Sequence, residues 1–214
     1  MKGSQLGEEN GRRSYESLRR TAQALETRAD IARAALRLFR TRGWAGTTVR
    51  DVAREAGVSV PTVYSTYGNK QGLARALADA ADLTAGVPRQ LAELEAAAAD
   101  PSRQLAAMAG YDRRLFERAG DVLRLLREAG RIEPELAAVY DDGRVRADET
   151  RARVFSSWPD GTLRPGLDLR AATDVYAALC TVDVYTTLTA ERGWSPDRVE
   201  RWWSDALARE LLDR

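Results

Sequence analysis

Residues 47–70 read TTVRDVAREAGVSVPTVYSTYGNK, and the punctuation inside this stretch sets the fold. Thr48 and Asp51 have the spacing of a capping box, in which a hydroxyl and a carboxylate each satisfy a free backbone N–H at a helix start. Val49, Val52, Ala53 and Ala56 follow on one face. Gly57 closes this short helix, because glycine enters the left-handed region without steric cost. Val58 then points inward, Ser59 offers a fresh N-cap, and Pro61 sits in the first turn of a third helix over about 60–66, where its missing N–H costs little. Two short helices joined by Ala56-Gly57-Val58-Ser59 make a helix-turn-helix, whose second helix has the geometry to enter the major groove of DNA.

The outer face of that second helix has the matching chemistry. Across 59–70, Val63 and Tyr67 are placed to face a core, which leaves Ser59, Val60, Pro61, Thr62, Tyr64, Thr66 and Lys70 outward. Hydroxyls donate to phosphates or base edges, small apolar groups touch thymine methyls, and Lys70, after the N-cap candidate Asn69, sits where a helix start attracts phosphate.

Upstream, Leu25, Ile31, Ala34, Ala35, Leu38 and Phe39 recur at three- and four-residue spacings and predict a first helix over about 25–42, ended by Gly43 with Trp44 folding back as an apolar plug. Residues 1–24 lack apolar periodicity and read as a flexible arm, with Arg12, Arg13, Arg19 and Arg20 available to nearby phosphates. Downstream, Leu73, Ala76, Leu77, Ala80 and Leu83 predict a fourth helix over about 69–85, stopped by Gly86 and Pro88.

Charge follows the same division. Of 33 Lys and Arg and 32 Asp and Glu in 214 residues, 13 and 7 lie in residues 1–70, while 71–214 carry 20 and 25. The basic block is therefore local. With 44% hydrophobic and 30% charged residues the chain has the mix of a globular protein. Histidine is absent, which removes Ser-His-Asp and Cys-His hydrolase arrangements and histidine metal sites, and Lys2 and Lys70 are placed for no pocket chemistry. Catalytic residues, metal and cofactors are accordingly expected to be none. The lone Cys180 makes no internal disulfide, and no apolar run reaches the length of a membrane span, so a cytoplasmic location is the expectation.

At this point the stretch resembles the TetR family of one-component bacterial transcription regulators. Thr27-Arg28 with Ile31, Ala34-Ala35, Leu38-Phe39, Gly43-Trp44, Thr47-Thr48-Val49, Val52-Ala53, Ala56-Gly57-Val58-Ser59, Thr62-Val63-Tyr64 and Asn69-Lys70 with Leu73 follow the family's spacing over about 27–75. The resemblance implies backbone phosphate contacts at Thr48 and Tyr64, a phosphate contact at Lys70, and groove-facing positions at Arg50, Val60, Pro61, Thr62 and Thr66. Tyr67 departs from the commoner phenylalanine, and Thr66 from a frequent histidine.

Beyond residue 88 the pattern is helical throughout, over about 89–98, 102–118, 121–129, 133–157, 168–191 and 197–213, with no strand alternation. The expected fold is all-α: a three-helix DNA-binding domain at 25–70, then a helical ligand-binding and dimerisation domain at 71–214. The resemblance implies the same second domain, with an inducer pocket and dimer contacts. Leu163-Arg164-Pro165-Gly166 and Gly193-Trp194-Ser195-Pro196 resemble punctuation in one branch of the family.

For the pocket, aromatic, sulfur-bearing and isolated polar residues on apolar faces give Met108, Tyr111, Leu115, Phe116, Leu123, Leu126, Tyr140, Tyr176, Cys180 and Asp183. Core packing is the alternative for this stripe, surface exposure for Asp183, and inert burial for Cys180. For the dimer, Val199, Trp202, Trp203, Ala206, Leu207, Leu211 and Leu212 form the broad stripe of the last helix, which packs on a second copy or within its own subunit. The reading is a homodimeric regulator bound to a double-stranded palindromic operator and released by an unidentified small-molecule ligand. The alternative is a constitutive DNA-binding or partner-binding protein of the same fold without that response.

Overall fold

Ten α-helices and a π-helical turn make up the described residues, 4–84, 87–98 and 100–213, of the computed structural model. The chain divides into two compact units, Met1–Ala76 and Leu77–Arg214.

In unit 1, α1 runs Ser4–Arg42, so helix occupies most of the stretch expected as an arm. The side chains of Arg12, Arg13 and Arg20, together with Leu83 and Gly86, lie outside the described residues; Arg19 is exposed. Ile31, Ala34, Ala35, Leu38 and Phe39 are buried as their spacing requires, whereas Leu25 is 62% exposed and does not extend the stripe. Trp44 does plug the end of α1, stacked on Phe39 with ring centroids 5.4 Å apart.

α2 (Val49–Ala56) starts on the capping box read from the sequence: Asp51 N–H donates to Thr48 Oγ1 and Thr48 N–H donates to Asp51 Oδ2, both across 3.1 Å. It ends on Gly57, at φ 68°, where Val58 N–H reaches the Ala53 carbonyl at 3.0 Å. α3 (Val60–Tyr67) is capped by Ser59 and packs Val63 inward. α4 (Lys70–Thr84) follows.

In unit 2, α5 (Val87–Ala96) precedes α6 (Pro101–Gly130), a single helix where a break at 119–120 was expected. Gly120 does not interrupt it; its bare backbone lies under Val182, whose Cγ2 would stand 3.4 Å from a Cβ there. α7 (Pro134–Ser156) follows. The helix expected over 168–191 is divided into α8 (Leu169–Leu179), α9 (Val182–Thr186) and the π-helical turn Thr187–Glu191. Thr181 causes the division: its backbone is extended and its hydroxyl accepts the Val184 N–H at 3.1 Å, starting a new helix.

α10 (Pro196–Leu211) carries the last stripe. Val199, Trp203, Ala206, Leu207 and Leu211 are buried within this one chain, against Leu105, Met108, Phe155 and Tyr176, and Leu212 and Trp202 are partly buried beside them. α6, α8 and the π-helical turn pack against this helix. Arg113 of α6 further ties α10 down, with Nε 2.8 Å from Glu200 Oε2. The chain end is fastened by Arg164 N–H to the Leu211 carbonyl at 2.8 Å, beside an isolated bridge between Leu163 and Leu212.

Candidate nucleic-acid interface and ligand cavity

In unit 1, α3 carries most of the positions expected to face a groove. Pro61 and Tyr64 are exposed, Tyr64 at 50%, and Val60, Thr62 and Thr66 are half-buried beside them. Ser59 shares a 2.8 Å hydrogen bond with Thr62 Oγ1, and Thr66 donates back to the Thr62 carbonyl at 2.7 Å. Hydroxyl rotors are thus ordered before any ligand arrives, and the lone pairs of Thr66 stay available to accept. Thr48 and Arg50 are both exposed at the start of α2.

Lys70 also braces the module's own frame. Its Nζ donates to the Trp44 carbonyl and lies 4.0 Å from the centroid of the Trp44 indole, so it clasps the α1–α2 turn. The carbonyl takes one of the three ammonium donors. Tyr67 explains the departure from phenylalanine: its hydroxyl donates to the Arg28 carbonyl of α1 at 2.8 Å, and the Arg28 guanidinium lies 4.8 Å from its ring centroid. Burial pushes the Tyr67 hydroxyl pKa up, which keeps it a donor.

Residues 31–86, which contain this face, match the family of bacterial regulatory proteins, tetR family. This module belongs to the TetR family. The TetR-family module is 48% identical over 63 residues to the HTH-type transcriptional regulator TtgR of Pseudomonas putida, which is 29% of this chain and 30% of that protein. The matched stretch thus spans less than a third of the curated relative's length. Among solved structures, a protein of Saccharomonospora viridis in complex with choline aligns with TM-score 0.71 at 24% identity, over 88% of this chain and 99% of that one. NalD, the secondary repressor of the MexAB-OprM multidrug efflux pump in Pseudomonas aeruginosa, aligns with TM-score 0.69 at 23% identity, over 89% and 98%. At these identities the likeness beyond the TetR-family module is one of fold.

Unit 2 encloses a cavity of about 380 Å³. Met108, Tyr111, Leu115, Phe116, Leu123, Leu126, Tyr140, Tyr176 and Cys180 line it. Asp183 does not. It is exposed on α9 and bonded to Arg127, Nη2 to Oδ1 at 2.8 Å, which holds its carboxyl below the ordinary value.

The polar residue the sequence reading missed is Asp112. It lies in the α6 stripe of Leu105, Met108, Ala109 and Phe116, at the same helical spacing, so an acidic residue on an apolar face was its signal. It is buried, accepts the Tyr176 hydroxyl at 2.9 Å, and stands 3.6 Å from Arg151 Nη2. Burial pushes the Asp112 carboxyl up, even against the charge of Arg151. Arg151 itself was hidden because α7 is polar along most of its length. The division between α8 and α9 places Cys180, Thr181 and Val182 on the wall, and burial pushes the Cys180 thiol well up, consistent with an inert side chain. Among the described residues no cluster of three or more His, Cys, Asp or Glu is arranged to hold a metal, and no helix is long and apolar enough to cross a membrane.

Proposed function

We propose that the chain is a cytoplasmic, homodimeric, sequence-specific DNA-binding regulator whose affinity for a palindromic operator is set by a small molecule in the unit 2 cavity. The observation that carries the reading is a TetR-family module whose second short helix keeps Pro61 and Tyr64 exposed on an otherwise well-packed frame. Exposed side chains of that kind on a helix-turn-helix gain nothing within the chain and suit a groove. Thr48, Tyr64 and Lys70 hold the phosphate backbone in this reading, and Arg50, Ser59, Val60, Pro61, Thr62 and Thr66 face the groove.

The cavity, in a fold shared with a protein solved in complex with choline, supports a small molecule as the signal. α4, which follows the recognition module in the chain, is the connecting element in this reading. A ligand acts here by favouring one arrangement of two recognition helices over the one that fits half-sites about 34–36 Å apart.

The test is selection of genomic DNA fragments by the purified protein, with bound fragments sequenced across a salt series. A short palindromic consensus is expected. Diffuse binding that collapses with salt would replace this reading by a constitutive architectural role.

A further inference from the structure

We infer that the cavity of unit 2 takes an uncharged, largely apolar organic molecule whose hydroxyl or carboxamide head docks where α8 breaks, between the Ala177 carbonyl and the Thr181 hydroxyl. The inference rests on the reading of that cavity as a ligand site and names the ligand's chemistry.

The break releases the last carbonyls of α8, and each must find a donor elsewhere. The Tyr176 carbonyl accepts the Cys180 N–H at 3.0 Å, and the Leu179 carbonyl accepts the Trp203 indole N–H at 3.0 Å. Ala178 is exposed to solvent. Ala177 is different: it is half-buried on the cavity wall, and its carbonyl accepts from no donor among the described residues. In an unbroken helix its partner is the N–H four residues on, that of Thr181, whose extended backbone (φ −113°, ψ 156°) takes it out of register.

Thr181 stands on the same wall. Its Oγ1 accepts the Val184 N–H at 3.1 Å, and its hydroxyl proton goes to no acceptor among the described residues. The wall therefore offers one acceptor and one donor side by side in the chain. A neutral hydroxyl or a carboxamide, which donates and accepts at once, answers both.

The rest of the wall argues for an uncharged body. Asp112 accepts the Tyr176 hydroxyl at 2.9 Å and stands 3.6 Å from Arg151 Nη2, so the buried charges already face each other. A ligand charge of either sign would give up water there without gaining a counter-charge. Asp79, Arg144 and Arg146 also line the cavity, but they are exposed and of both signs. Met108, Leu115, Phe116 and Leu126 are apolar, and about 380 Å³ fits a compact aromatic or branched group.

The test uses the full chain without DNA and four probes of one shape, titrated by calorimetry: cuminyl alcohol, its methyl ether, cuminylammonium and cuminate. The ether keeps the accepting oxygen and loses the donor. The alcohol is expected to bind about fivefold tighter than the ether, the size of one net hydrogen bond, and about tenfold or more tighter than either ion. Thr181→Val should weaken alcohol and ether alike, several-fold, whereas Thr181→Ser, which keeps the hydroxyl and the cap on α9, should leave both unchanged. Equal affinity of alcohol and ether, tighter binding of either ion, or no alcohol binding up to millimolar concentration would each overturn the inference, and this ranking in the unaltered protein needs no variant to fold. Operator affinity is measured separately with and without cuminyl alcohol. Alcohol binding that leaves operator affinity unchanged would sink ligand-controlled regulation while the cavity assignment stands, and loss of DNA binding alone bears only on the module.

Discussion

The indole N–H of Trp203 donates to the carbonyl of Leu179 across 3.0 Å, joining α10 to the last turn of α8. That carbonyl has lost its helical partner because α8 stops and Thr181 starts a new helix, and a buried carbonyl without a donor is costly. Trp203 is fully buried, with its ring edge-on to Phe116 at 5.9 Å, and so serves both the cavity wall and the interruption behind it.

Trp203→Phe keeps an aromatic ring and removes the donor. Unfolding free energy should fall by about 1–3 kcal/mol from the unpaired carbonyl, before any loss from the smaller ring. Urea denaturation with an unchanged m-value checks this. An unaltered midpoint would mean that water or a shifted backbone replaces the bond.

Tyr64→Ala and Lys70→Ala should separate reading from framing. Tyr64 is half-exposed and makes no packing contribution of note, so its loss should leave stability within about 0.5 kcal/mol while lowering DNA affinity across all sequences. Lys70 clasps Trp44 through a hydrogen bond and the indole face, so its loss should cost about 1 kcal/mol in stability as well. Denaturation curves and binding isotherms on the same two variants decide it; equal stability of both would remove the framing role of Lys70.

Gly57→Ala tests the elbow of the helix-turn-helix. A Cβ at Gly57 meets nothing within 4 Å, so the cost is confined to φ 68°, a conformation that costs alanine about 1 kcal/mol. A thermal midpoint lowered by a few degrees, with DNA affinity retained below that midpoint, is the expected result. A much larger loss would show that the turn packs more tightly than its surroundings indicate.

Asp112 and the surface carboxylates oppose each other in acid. Asp112 has its folded pKa raised by burial, so its contribution is fully present below the unfolded value of about 4 and is lost as pH rises through the raised one. Asp51, lowered chiefly by the Thr48 hydroxyl, and Asp183, lowered chiefly by Arg127, contribute above the unfolded value and lose it as pH falls through their folded ones. Asp112→Asn should therefore gain stability relative to the unaltered chain as pH rises from about 4, by thermal unfolding in a buffer series. A difference that is flat with pH would show that Asp112 ionises no less readily folded than unfolded.

Local chemistry made unit 1 legible. The Thr48–Asp51 box, Gly57, Ser59 and Pro61 act within four residues of themselves, and each stands where its spacing implies. The cavity was legible for its apolar wall, because odd residues on apolar faces converge when helices pack. Two things were not. Arg151 comes from a polar helix whose inward side carries no periodic signal, and the stripe of α10 shows that it is buried without showing by what. The division at Thr181 was half-visible, since a threonine followed by Asp183 is a start signal that the preceding apolar run of 175–180 outweighed.

The bond from Tyr67 to the Arg28 carbonyl has an evolutionary consequence. It fixes the azimuth of α3 from the inner side, with Val63, while Pro61 and Tyr64 project from the other. Residues that hold the helix and residues that stand exposed on it are therefore different letters of the same eight-residue word. Descendants of this chain are free to rewrite the outer letters without re-solving the folding problem, and under the proposed function that is how a new target sequence would be acquired.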